Sequence, residues 1–153
     1  MFEELKRPEY VHVLLNPLPV YATAMGVIAL VVALLMRSRP AQIVALILVG
    51  IGCFSVWPVS EYGEDASHRV GTMSNTDTQS LREHEERAER AGWFFCVTGS
   101  LAVAGIVTGW KFPKLATWLT VATLVAAIVC IGLGAWISRA GGKVRHSEFR
   151  GEK

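Results

Sequence analysis

Four long stretches of this chain carry no Lys, Arg, Asp or Glu, and that feature constrains the fold most. They are Tyr10–Met36, Pro40–Ser60, Ala91–Trp110 and Leu115–Ser138. At 1.5 Å rise per residue, Ala91–Trp110 gives about 30 Å of helix and Leu115–Ser138 about 36 Å. A membrane span needs roughly 20 predominantly apolar residues. Soluble helices keep a polar face, and these runs have none. With 52% hydrophobic and 18% charged residues, the chain is too apolar for disorder. Three cysteines in 153 residues are too few for a disulfide scaffold. A formal net charge of +2 leaves no footprint for nucleic acid.

The expected fold is therefore all-α, an integral membrane four-helix bundle in a lipid bilayer. Punctuation sets the expected helices at about 17–37, 41–58, 81–110 and 114–140. Asn16-Pro17-Leu18-Pro19 marks the first membrane entry, Arg37-Ser38-Arg39-Pro40 and Lys111-Phe112-Pro113-Lys114 are tight connections, and Pro58 is expected to end helix two. Gly141-Gly142 is expected to stop helix four, as glycine commonly does at C′. The result is two hairpins in up-down-up-down order, joined by an extramembrane segment, 59–80. With two Glu in Met1–Arg7, the first run reads as a retained helix, not a cleaved signal. Ser80-Leu81-Arg82-Glu83 fits a capping box, so helix three is expected to begin near Leu81 and to project beyond the bilayer.

One line down helix three reads His84, Ala88, Ala91, Phe95, Gly99, Ala102, Gly105, Gly109. Six of these eight are Gly or Ala, and small residues let membrane helices approach closely. The stripe should face the bundle, which places His84 at its mouth. All four histidines (His12, His68, His84, His146) and all 13 acidic residues fall on the side of the termini and the long segment. The short connections carry Arg37, Arg39, Lys111 and Lys114 and no acid. A raw count of Lys and Arg, 11 on the termini side against these four, would put the termini inside. Because those 11 are interleaved with carboxylates in protruding structure, the bare cations at the membrane edge favour the cytoplasmic side for the short connections and the outer side for the termini and the 59–90 region.

Histidine is the usual protein ligand of transition metals and haem iron. For haem b, the expected axial ligand is His84, with His12 or His146 opposite. For a transition metal, the candidates are His12, His84 and His146 with Glu64 or Glu85, and Asn16 as an outer partner. No His-Glu-x-x-His spacing, nucleophile triad, phosphate loop or dinucleotide fingerprint occurs, so the chain is not expected to be an enzyme by itself. The deep runs hold no carboxylate or lysine, which argues against an ion pump. Cys53, Cys96 and Cys130 read as small buried apolar residues. Trp57, Trp93, Trp110, Trp118 and Trp136 fall near span ends, as interfacial belts do.

The stretch His12-Val13-Leu14-Leu15-Asn16-Pro17-Leu18-Pro19 resembles the N-terminal His-Pro-x-x-x-His-x-Pro element of a widespread bacterial family of four-helix predicted membrane proteins of unknown function. The first His and last Pro match; Val13 and Pro17 stand where the family has Pro and His. Gly63-Glu64-Asp65-Ala66, His84-Glu85 and the segment from Gly141 to Glu148 resemble elements of one branch. Some long family members carry cytochrome c-type domains after the helices. The resemblance implies a bacterial inner-membrane location, an outer C-terminus and a redox setting. The expectation is a small membrane subunit of electron transfer, with a periplasmic redox protein or other membrane proteins as partners. The alternative is a cofactor-free assembly subunit that packs through the Gly/Ala stripe. Oligomeric state stays open.

Overall fold

The computed structural model describes residues 3–151, and among them the secondary structure is helical throughout. Helices α1 (Pro8–Leu15) and α2 (Leu18–Leu35) form the first leg of hairpin one. Helices α3 (Arg39–Phe54) and α4 (Val56–Val70) form its second leg. Hairpin two is α5 (Thr78–Thr108) and α6 (Pro113–Arg145). The four legs, Pro8–Leu35, Arg39–Val70, Thr78–Thr108 and Pro113–Arg145, are each long and apolar enough to cross a membrane. All five tryptophans present exposed faces, from 42% for Trp136 to 90% for Trp110, which suits contact with lipid and its interface.

Helix boundaries depart from the sequence expectation at four places, each for a local reason. Pro58 does not end the second leg. Its missing N–H would have bonded the Phe54 carbonyl, so the ladder breaks at Ser55 and restarts with Pro58 inside the first turn of α4. Most of the segment expected as 59–80 is consequently helix, and the connection shrinks to 71–77. Pro17 and Pro19 act alike on the first leg, which starts at Pro8 rather than near residue 17 and is interrupted between Leu15 and Leu18. The cap of α5 is Asp77, not Ser80. One Asp77 carboxylate oxygen accepts from the Ser80 amide at 3.2 Å and from its hydroxyl. Gly141-Gly142 lies inside α6, which runs on to Arg145 with Val144 buried. Thirty-one residues of α5 make about 46 Å of helix, well beyond a hydrocarbon core of roughly 30 Å.

The bundle is closed in its lower part, towards the short connections. Leu30, Leu46, Val49, Cys53, Phe95, Ala102 and Cys130 form its core. Glycines there admit neighbouring backbone. A Cβ on Gly52 would lie 2.6 Å from the Thr23 nitrogen, and one on Gly26 would lie 2.8 Å from the Val49 nitrogen. The stripe on α5 is spent in the same way. Ala91, Phe95, Gly99, Ala102 and Gly105 are buried, with Gly99 against the Phe54 ring. Below them Arg39 reaches up from the first turn of α3, donating to the Gly105 carbonyl, to Gln42 at 3.2 Å and to Thr120 at 3.4 Å. That fastens three helices across the lower end. The short connection before it closes with Arg37 at φ +51°, a left-handed position where glycine is usual.

Candidate functional site

The upper part of the bundle is open. α1 packs on α4, and α5 on α6, but α4 touches α5 far less than α3 does. The breaks at Leu15–Leu18 and at Ser55 lie at the level where contact between the two hairpins thins. Between the hairpins lies a groove of about 1040 Å³, lined by α1, α4, α5 and α6. Its floor includes Val20, Phe95 and Gly134. Its sides run past Trp57 and Cys96, which are exposed. Its upper walls carry His12, His84, Glu64 and Glu85.

His12 from hairpin one and His84 from hairpin two meet across this groove. Their ring centroids lie 6.3 Å apart with the planes at 84°. Each ring is held by the other leg of its own hairpin. His12 Nδ1 is 2.8 Å from the Val59 carbonyl oxygen, and His84 Nδ1 is 3.1 Å from the Ile137 carbonyl oxygen. A carbonyl only accepts, so Nδ1 carries a proton in both rings, and in the neutral ring the lone pair is on Nε2. Metal-bound histidines are oriented by the same kind of bond. Four residues beyond each carbonyl stands a glycine, Gly63 or Gly141, and each imidazole rests against its bare Cα. A Cβ there would sit 2.9 Å from His12 Cε1 or 3.0 Å from His84 Cε1.

The other candidates are placed as follows. Glu64 and Glu85 line the groove as exposed side chains, as does His68. Asn16 also lines it. His146 does not join the pair: it is exposed, 3.1 Å from the Glu148 carboxylate and stacked near Phe149. Glu148 is held below the usual carboxylate range by its own backbone N–H and by His146. Among the described residues, no group of three or more His, Cys, Asp or Glu side chains comes together to hold a metal ion. His12, His84 and His146 with Glu64 or Glu85 are therefore not gathered into one group; His12 and His84 alone meet.

Sequence reasoning missed several participants. Gly63 and Gly141 are contact surfaces for the histidine rings, and Val59 and Ile137 supply backbone acceptors. A signal was present in outline, since each glycine lies on the leg opposite its histidine at matching height. Glu9 was also missed. It lines the groove, and its Oε2 is buried without a hydrogen-bond partner, 3.8 Å from Arg69. No family model, curated protein or solved structure matches the chain.

Proposed function

We propose that this protein is a small membrane subunit of electron transfer that holds haem b between His12 and His84. The paired imidazoles carry the reading. A metal ion bound by one nitrogen of each imidazole at about 2.0 Å would set their ring centres roughly 6 Å apart. The His12 and His84 ring centres lie 6.3 Å apart, a separation that would admit an ion between the two rings with their Nε2 atoms turned towards it. A bare transition ion would want four to six donors, and the groove brings two histidines together. Haem brings its own four equatorial nitrogens and asks the protein for axial ligands alone. A groove between two helix layers, with small residues Ala88, Gly92 and Gly134 along it, suits a flat ligand.

The chain's own residues then have distinct tasks. His12 and His84 supply Nε2 lone pairs. The Val59 and Ile137 carbonyls hold the rings in the ligating tautomer and make the imidazoles better donors. Val20, Val56 and Phe95 keep water from the floor of the groove. Arg7 and Arg145, at the upper rim, offer charge to an anionic edge. Bound haem supplies one-electron exchange.

In this reading the protein resides in the bacterial inner membrane. Its basic short connections face the cytoplasm and the histidine rim faces the periplasm, beside a periplasmic redox partner. The acid-free cations of the short connections, Arg37, Arg39, Lys111 and Lys114, and the resemblance to a family with cytochrome c-bearing members support that placement. The assembly-subunit alternative loses its proposed surface, because the α5 stripe is buried within the chain's own bundle.

The test is an absorption spectrum of detergent-purified protein after incubation with haem, oxidised and then dithionite-reduced, with metal analysis on the same sample. The expected result is a Soret band that sharpens on reduction with resolved α and β bands, lost in His84→Ala. A folded sample that takes up no haem overturns the proposal.

A further inference from the structure

We propose that Gly63 and Gly141 are positioning residues that hold the two haem-binding imidazoles in crossed planes. This inference rests on the haem reading above and deepens it. Its basis is a device that occurs twice. In each hairpin the first leg carries a histidine. The second leg carries a carbonyl that accepts from Nδ1 and, four residues later, a glycine against which the ring lies. The pairs are Val59 with Gly63 and Ile137 with Gly141. Residues four apart share one face of a helix, so acceptor and bare Cα form a single cradle.

Both points of that cradle are main-chain atoms of a helix, so neither shifts by a rotamer change. The Nδ1 bond fixes one edge of the ring. The missing Cβ lets the Cε1–Nδ1 edge settle into contact, with virtual Cβ distances of 2.9 and 3.0 Å for His12, and 3.0 Å to each atom for His84. Cβ contacts under 3.0 Å essentially never occur, and those at 3.0 Å are tighter than nine in ten. A methyl group at either position must displace the ring by at least a few tenths of an ångström against its bond to the carbonyl. The two cradles stand on different hairpins, and their orientations leave the rings at 84°.

Crossed planes have a consequence that parallel planes lack. Each imidazole donates π density to a different iron d orbital, so the two orbitals stay nearly equal in energy. Ferric low-spin haem held this way gives a strongly anisotropic electron paramagnetic resonance spectrum dominated by one large g value. Parallel imidazoles give the ordinary rhombic three-line spectrum instead. With haem bound, two absent methyl groups would thereby set which of these electronic states it adopts.

The experiment compares haem-loaded wild type, Gly63→Ala, Gly141→Ala and Gly132→Ala by low-temperature electron paramagnetic resonance. Gly132 has nothing within 4 Å of a Cβ position and serves as the control. Alanine is the better helix former, so fold loss is not the expected effect at any of the three. Wild type and Gly132→Ala should show the single large-g signal, and Gly63→Ala and Gly141→Ala should each move towards the rhombic pattern while retaining haem. A rhombic wild type, or unchanged spectra in both cradle variants, overturns the inference and leaves the haem reading standing. Nitrogen-15 histidine NMR of the haem-free chain decides the matter separately. His12 and His84 should both be Nδ1–H tautomers, and Gly63→Ala should disturb His12 alone. If Gly63→Ala leaves His12 as it was, the positioning role fails. Should the wild type take up no haem, the haem reading fails, and the NMR result still decides whether the glycines set the rings.

Discussion

The two hairpins solve one problem with different backbones. Hairpin two uses continuous helices of 31 and 33 residues. Hairpin one uses legs broken at Leu15–Leu18 and at Ser55. Both nevertheless deliver a histidine onto a carbonyl and a glycine of the facing leg. Both also pair a threonine with a core cysteine one level lower, Thr23 with Cys53 at 3.8 Å and Thr98 with Cys130 at 3.3 Å. The breaks do not weaken the device. They sit just below the groove that both histidines line.

If the copies are equivalent, removing either histidine should have the same and largest effect. His12→Ala and His84→Ala are each expected to reduce bound haem at least about tenfold, the lower end of what even an outer partner of a metal site contributes. Haem-to-protein ratio by the pyridine haemochrome assay is the readout. Loss in one variant and full occupancy in the other would break the equivalence. His146→Ala should keep full occupancy, since that ring is engaged with Glu148 and Phe149 outside the groove.

A smaller effect separates packing inside hairpin one from packing between hairpins. A Cβ on Gly52 would meet Thr23 backbone at 2.6 Å, whereas on Gly134 the close atom is Val20 Cγ2 at 2.5 Å and no backbone lies near. Side-chain tips can turn away, but helix backbones cannot. Gly52→Ala should therefore destabilise by about 1–3 kcal/mol, the usual range for overpacking, and Gly134→Ala by clearly less. Thermal scans in detergent give the order, and the reverse order would show that the hairpins, rather than their legs, are the rigid units.

What was legible in the sequence follows from what kind of physics wrote it. The four spans were plain because lipid excludes charge over a continuous stretch, and the inward stripe of α5 was plain because its period is helical. Pro58 misled because a proline forbids one hydrogen bond without saying which side of it the helix resumes. Gly141 misled because a glycine supplies either a left-handed backbone or the absence of a methyl group. Only the partner, the His84 ring, reveals which one is used. The histidine pair was legible only in half. His84 follows from the stripe, but bringing His12 opposite depends on how the two hairpins meet, which no local spacing encodes. His146 was drawn in by proximity to helix four in the chain, yet its place was settled by Glu148 two residues away.

The smallest expected effect concerns how each hairpin begins. α5 is capped by the Asp77 carboxylate, while α1 begins at Arg7 with no side-chain cap. The Ser80 hydroxyl, followed by the Ser80 and Gln79 amides and the charge of Arg150, holds Asp77 below the usual carboxylate range. A carboxylate depressed in the folded state contributes stability that is present above its unfolded value, about 3.9. That contribution is lost as pH falls through the folded value. Acid should therefore loosen the rim end of α5 before that of α1. Amide hydrogen exchange at Ser80 and Leu81 should accelerate on acidification, relative to Val11 and His12 and after correction for intrinsic rates. Asp77→Asn keeps a capping oxygen but cannot titrate, so its protection should be flat over the same range. If Asp77→Asn follows the wild-type curve, the acid response belongs to another group, and the two hairpins begin alike after all.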